Sequence, residues 1–259
     1  MYSCSFERKQ LYEVVGQVFK NLNLNPRICE LGVYDGSNGL SLISTFNPIS
    51  ALFVDSWSSQ KFTEEYFQKE SLLPGVQPLS SKIFSDYYNG DVACQETWNN
   101  LYSKAKEKLL KHRCAQIIKS STTEAAKACL SLGREFEYIY IDANHRYEHV
   151  LRDLTDWCKL LSPLGFIQLN DCTFSEEVFK QGIGVLRALH EFICLNPDFS
   201  ILAQTYGNFA DVLIARSTHE ACFNFETTIE SSDYSFIRLP GELVFNSSFK
   251  NNRMSYDIF

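Results

Sequence analysis

The chain lacks an excess of positive charge. Its 259 residues carry 24 Lys and Arg against 31 Asp and Glu, a net charge of −7. A broad nucleic-acid surface needs clustered cations, so the charge argues against one and leaves room only for a small local patch. Long apolar runs are also missing. No stretch reaches the roughly 18 consecutive apolar residues of a membrane span. The opening MYSCSFERKQLYEVV has no signal-peptide core, so a cytoplasmic location is the expectation. Paired thiols are absent as well: the nine cysteines are scattered, with no CxxC, and read as reduced and packed. Cys29, Cys158 and Cys194 lie within apolar patterns as core candidates. No internal repeat is visible. What is present is 45% hydrophobic residues, ample for one large core.

The most informative stretch is Phe136 to Asp171. Two apolar runs, FEYIYI and FIQL, each end at or next to an acid, Asp142 and Asn170-Asp171, with a helix-patterned segment between them. Runs that are apolar throughout suit parallel strands buried on both faces and joined by a crossover helix. Polar residues at the carboxyl ends of such strands face the crevice where open α/β sheets bind ligands. Asp142, Asn144, His145, Asn170 and Asp171 are therefore expected at one edge of one sheet.

The same alternation runs along the chain. Residues 7–22 place Leu11, Val14, Val15, Val18, Phe19 and Leu22 at helical spacing. A short strand ends at Glu30, a glycine turn follows, and a helix spans about 37–44. The next strand, 51–55, ends at Asp55. Residues 56–94 are too long for one helix and two loops, so they read as an insertion over the ligand edge. Within them 61–70 is helix-compatible, LPGVQPLSS is loop and SDYYNGD is a turn. An aromatic excursion of this length suits a lid better than disorder.

A helix at 95–112, a strand at 114–120 and a helix at 123–132 follow, with Ser121 and Glu124 spaced as a capping box. Beyond the opening stretch come a helix at 176–195 and strands at 199–204 and 210–216, the last two joined by a turn at Gly207-Asn208. So short a link forces an antiparallel pair. The expected fold is α/β: a Rossmann-like, seven-stranded, mostly parallel sheet with a terminal antiparallel hairpin and helices on both faces. Residues 1–216 form the domain. Residues 217–259 show no periodicity and read either as a strand or two with a loose tail or as a contact or cover segment.

Four segments in this order resemble the class I S-adenosylmethionine-dependent methyltransferases. CELGVYDG, 29–36, matches acid-x-Gly-x-x-x-Gly, and FVDSW, 53–57, matches the second motif. IIKSST, 117–122, resembles the strand leading to the adenine pocket. YIDANHRYEHVLRDL, 140–154, with GFIQLNDC, 165–172, is similar to the macrocin and cephalosporin-hydroxylase type of O-methyltransferase. The resemblance implies a cofactor site of Glu30, Gly32, Gly36, Asp55, Ser121 and Asp142. Glu30 would meet the methionine amino group, and Asp55 the ribose hydroxyls. It implies methyl transfer to a hydroxyl of a small molecule or sugar, with Asp142 and His145 as the catalytic pair and His145 as base, since imidazole titrates near 6.5.

Metal-dependent members hold a divalent ion with three carboxylates. Here Asp142, Asn170 and Asp171 are the candidate ligands for Mg2+. Two departures, Ser120-Ser121-Thr122 in place of Gly-Asp-Ser and Asn170 in place of an acid, keep a non-catalytic binding module open as an alternative. A nicotinamide-dependent oxidoreductase is disfavoured because GxGxxG is missing. A homo-oligomer stays open. Arg146, Arg152, Lys159, Glu148, Asp153 and Asp156 read as a solvated helix face.

Overall fold

The computed structural model describes residues 1–66, 81–217 and 220–257. Strand β1 (Tyr2–Cys4) precedes helix α1 (Arg8–Asn21). Then come β2 (Arg27–Leu31), α2 (Ser37–Phe46), β3 (Ser50–Asp55), α3 (Ser59–Tyr66), α4 (Ser81–Tyr88), α5 (Gln95–Leu109), β4 (Ala115–Lys119) and α6 (Thr122–Ser131). They are followed by β5 (Phe136–Ile141), α7 (Tyr147–Trp157), β6 (Leu161–Leu169), α8 (Glu176–Lys180), α9 (Val185–Leu195), β7 (Phe199–Gln204) and β8 (Val212–Arg216). The last segment adds α10 (Glu220–Glu230), β9 (Phe236–Arg238) and the pair β10 (Ser247–Lys250) and β11 (Arg253–Tyr256).

The main sheet runs β4-β3-β2-β5-β6-β8-β7-β1-β9. Strands β4 to β6 are mutually parallel, and β8 is antiparallel to both β6 and β7. The expected seven-stranded core with its antiparallel pair is present, but the sheet has nine strands. The two extra strands come from the chain ends: β1 pairs parallel with β7, and β9 antiparallel with β1. Three-residue strands are too short to leave a periodic signal in sequence.

Side chains of the central strands alternate between two cores. Ile28, Phe53, Tyr138 and Tyr140 pack on the face covered by α1, α2 and α5. Cys29, Leu31, Val54, Ile139 and Ile141 pack on the face covered by α6, α7 and α9. Burying each large apolar side chain contributes about 1.5–3 kcal/mol, so strands buried on both faces form the most stable part of the molecule.

Four local expectations change. The span 176–195 is two helices, α8 and α9, because the chain turns at Gly182 with φ +63°. That turn aims the carbonyls of Gln181 and Gly182 at the buried Arg146 guanidinium, at 3.0 and 2.8 Å. Second, Arg146 and Asp153 do not belong to a solvated face; both are buried. Third, Cys194 is exposed, whereas Cys29 and Cys158 are buried. In the insertion, the tyrosines of SDYYNGD lie at the end of α4 rather than in a turn, and most of LPGVQPLSS falls outside the described residues. Residues 220–257 fold onto the domain: Phe225 and Ile229 of α10 are fully buried in the core beneath α1.

Candidate functional site

The carboxyl ends of β2, β3, β5 and β6 border a cavity of about 680 Å³. On one side lies the glycine turn after β2. Gly32 holds φ +83°, and a Cβ there would lie 1.9 Å from the Asp142 carbonyl oxygen. Only glycine lets these two strand ends approach so closely. The turn is pinned by Asp55. One carboxylate oxygen accepts the backbone N–H groups of Val33 and Tyr34 at 2.9 and 3.0 Å, and the other accepts that of Trp57 at 2.9 Å. Burial raises the Asp55 titration despite these donors. The indole of Trp57 donates to the Tyr34 carbonyl at 2.8 Å, so the ends of β2 and β3 form one cross-braced unit.

On the other side, four charged groups converge. His145 Nε2 lies 3.3 Å from Asp142 Oδ1, and its Nδ1 lies 3.8 Å from Asp171 Oδ2. Burial disfavours the imidazolium, but Asp171 and Asp142 together outweigh it and raise the His145 titration above its ordinary value. Asp171 leaves β6 in the left-handed region, φ +55°, which Asp tolerates better than most residues. Burial raises its titration too. Behind them, the fully buried Asp211 accepts from Gln168 at 2.8 Å, Tyr140 at 3.1 Å and Asn170 at 3.2 Å. Burial pushes Asp211 up to about 6.

Gly32, Asp55, Ser121, Asp142, His145, Asn170 and Asp171 all line this cavity. Glu30 and Gly36 do not. Glu30 is buried on the α1–α2 face, where it accepts from Asn38 at 2.8 Å, and Asn38 in turn accepts from the Tyr12 hydroxyl at 3.1 Å. Burial pushes its titration well above the carboxylate range. A Cβ on Gly36 would meet α5, at 3.0 Å from Ala105, so Gly36 serves helix packing. The Ser121 hydroxyl joins the expected capping box: Glu124 N–H donates to it at 3.3 Å, and it donates to the Glu124 carboxylate at 2.7 Å.

The residues expected to hold Mg2+ do not fit a divalent ion. The Asn170 amide donates to Asp211. The Arg8 guanidinium stands among the acids: 3.9 Å from Asp142 Oδ2, 3.9 Å from Asp171 Oδ1 and 3.7 Å from Asp211 Oδ1. Mg2+ bonds oxygen at roughly 2.0–2.1 Å in a near-octahedral shell, which a fixed cation at this spot would oppose. Among the described residues no other group of His, Cys, Asp and Glu could hold a metal.

Arg8, Asp153 and Asp211 are site residues that sequence patterns did not single out. Asp153 lines the cavity, accepts from Thr122 at 2.6 Å, and is pushed by burial to about 7. Asp211 had a weak signal, an acid directly before an apolar strand; Arg8, one of many charges on an amphipathic helix, had none. The insertion also reaches the site. Glu65 of α3 accepts from Asn144 at 2.9 Å and lies 3.8 Å from His149. Phe62 packs on Phe84, Tyr88 and Trp98, with centroids 5.3, 5.4 and 5.0 Å apart.

This strand order, with a ligand edge built from a glycine turn and strand-end acids, defines a class I S-adenosylmethionine-dependent methyltransferase fold. A family model described as a methyltransferase domain matches residues 29–172. That is more than half of the chain, and the protein belongs to this family. Among solved structures, the O-methyltransferase from Bacillus cereus in complex with SAH superposes with a TM-score of 0.50 at 13% identity, covering 80% of this chain and 81% of that one. Spermidine synthase from Thermotoga maritima gives 0.50 at 13% identity, covering 92% and 70%. At such identities the likeness is one of fold. No curated protein matches the sequence significantly.

Proposed function

We propose that the protein transfers a methyl group from S-adenosylmethionine to a hydroxyl of a small molecule or sugar moiety. The observation that carries this reading is the position of His145: a half-buried imidazole braced by Asp142 and Asp171, in the same cavity as the glycine turn. S-adenosylmethionine, when bound, supplies an electrophilic methyl on a sulfonium. The protein must present the acceptor oxygen in line and take its proton. His145 takes that proton in its neutral form, and the two carboxylates stabilise the imidazolium that results.

Gly32 lets backbone approach the cofactor, Asp55 meets the ribose, and Ser121 and Asp142 complete the contacts. Glu30 enters only through Asn38, as a brace beneath the turn. The cofactor half of this reading is tested by mass spectrometry of the purified protein and by calorimetric titration. S-adenosylmethionine or its demethylated product should co-purify or bind, and NAD should not. Binding of NAD in place of S-adenosylmethionine would overturn it. Cofactor binding with no turnover on any hydroxyl acceptor would favour the non-catalytic module instead.

A further inference from the structure

We propose that Arg8 is the resident cation of the acceptor edge, standing where a divalent ion would otherwise stand, and that the edge works without a metal. The proposal rests on the methyltransferase reading for its function but on geometry for its substance. Three different guanidinium nitrogens face three different acids: Nη1 faces Asp142, Nη2 faces Asp171 and Nε faces Asp211. These acids come from the ends of β5 and β6 and the start of β8. One planar group thus spans all three strand ends, a geometry for which guanidinium is suited and ammonium is not.

The separations of 3.7–3.9 Å exceed the roughly 2.7–2.9 Å of a direct charge-assisted hydrogen bond. The group therefore neutralises the acids without spending its N–H groups on them, and its side chain remains about one-third exposed along the cavity. Those N–H groups are free to meet the acceptor oxygen as His145 takes its proton. A fixed positive charge there stabilises an oxygen gaining negative charge, the task a metal performs as a Lewis acid.

The fold delivers Arg8 by a route with no counterpart in a seven-stranded sheet. Strand β1 is tied to β7, and the Phe6 carbonyl accepts from Tyr206 N–H at 3.0 Å. Helix α1 then starts at Arg8 itself, beside the carboxyl edge. The added N-terminal strand is what sets the guanidinium among the acids.

The test is titration of the full chain with Mn2+, followed by electron paramagnetic resonance and calorimetry. The parent should show no saturable site at millimolar metal. Arg8→Ala and the bulkier neutral Arg8→Gln should each gain a site binding at least tenfold more tightly, because three acids then lack their cation. Adding Asp171→Asn to either should remove it. Saturable Mn2+ binding by the parent that Asp171→Asn weakens would overturn the proposal. So would an unchanged Mn2+ affinity in a folded Arg8→Gln. S-adenosylmethionine binding, measured separately, stands or falls without reference to these titrations, so failure of the broader reading is distinguishable from failure of this one.

Discussion

The two sides of the cavity are built on different principles. At the glycine turn, every contact is a short hydrogen bond between close neighbours in space: Asp55 holds three backbone N–H groups at 2.9–3.0 Å. At the acid edge, charges face one another at 3.3–3.9 Å, and several are raised in titration by burial. The first side is a rigid backbone cradle, fit to bind one ligand in one pose. The second is a set of charges whose protonation can change, fit to move a proton. A methyl transfer to oxygen needs both, and the contrast between them is what experiments can break.

The largest effect is expected at the cradle. Gly32→Ala sets a Cβ 1.9 Å from the Asp142 carbonyl at a positive φ, so it should abolish cofactor binding and lower stability by roughly 3–5 kcal/mol. Chemical denaturation together with calorimetric titration checks both. Wild-type stability in this variant would mean the two strand ends are not held as closely as described.

At the charged edge, His145→Ala should reduce turnover by roughly 10²–10⁴-fold with cofactor binding retained, the range for losing a general base. The imidazole titration carries a sign. Because its folded value is raised, His145 stabilises the fold fully below about 6.5, the ordinary value. That contribution is lost as pH rises through the higher folded value. NMR titration should show the elevated value in the parent and a lower one in Asp171→Asn. An unchanged titration in that variant would separate Asp171 from the base.

Asp55→Ala should weaken cofactor binding by roughly 1.5–3 kcal/mol, the scale of hydrogen bonds to a charged group. The fold should suffer too, since Val33, Tyr34 and Trp57 lose their acceptor. Asp55→Asn should retain part of both. If cofactor affinity in Asp55→Ala equals that of the parent, the cradle has been assigned to the wrong ligand.

The smallest effect concerns Asp153, raised by burial to about 7. Below its ordinary value near 3.9 it costs nothing. As pH rises through the interval up to its folded value, the folded state holds a proton that the unfolded state has released, so stability falls; above the folded value the loss is complete. Asp153→Asn should remove this slope, and denaturation midpoints at acid and alkaline pH measure it. Equal slopes in parent and variant would mean that Asp153 is not buried as a lone carboxyl.

The sequence by itself determined the cradle and the frame. FEYIYI and ALFVD are apolar throughout because both faces of a parallel strand are buried. Gly32 turns at a positive φ directly after its strand, and Ser121 and Glu124 form a cap within four residues. Such features depend on neighbours in the chain, so spacing reveals them. The acid edge was half legible: Asp142, His145 and Asp171 follow from strand ends, but their cation does not. Arg8 and Asp211 lie near opposite ends of the chain and meet only because β1 joins the sheet beside β7 and β8 returns between β6 and β7. The burial of Arg146 and Asp153 was likewise decided by packing, through the carbonyls at the α8–α9 turn and the Thr122 hydroxyl. Periodicity records whether a residue faces a core. It cannot record which distant charge will neutralise it, because that depends on the order in which strands assemble.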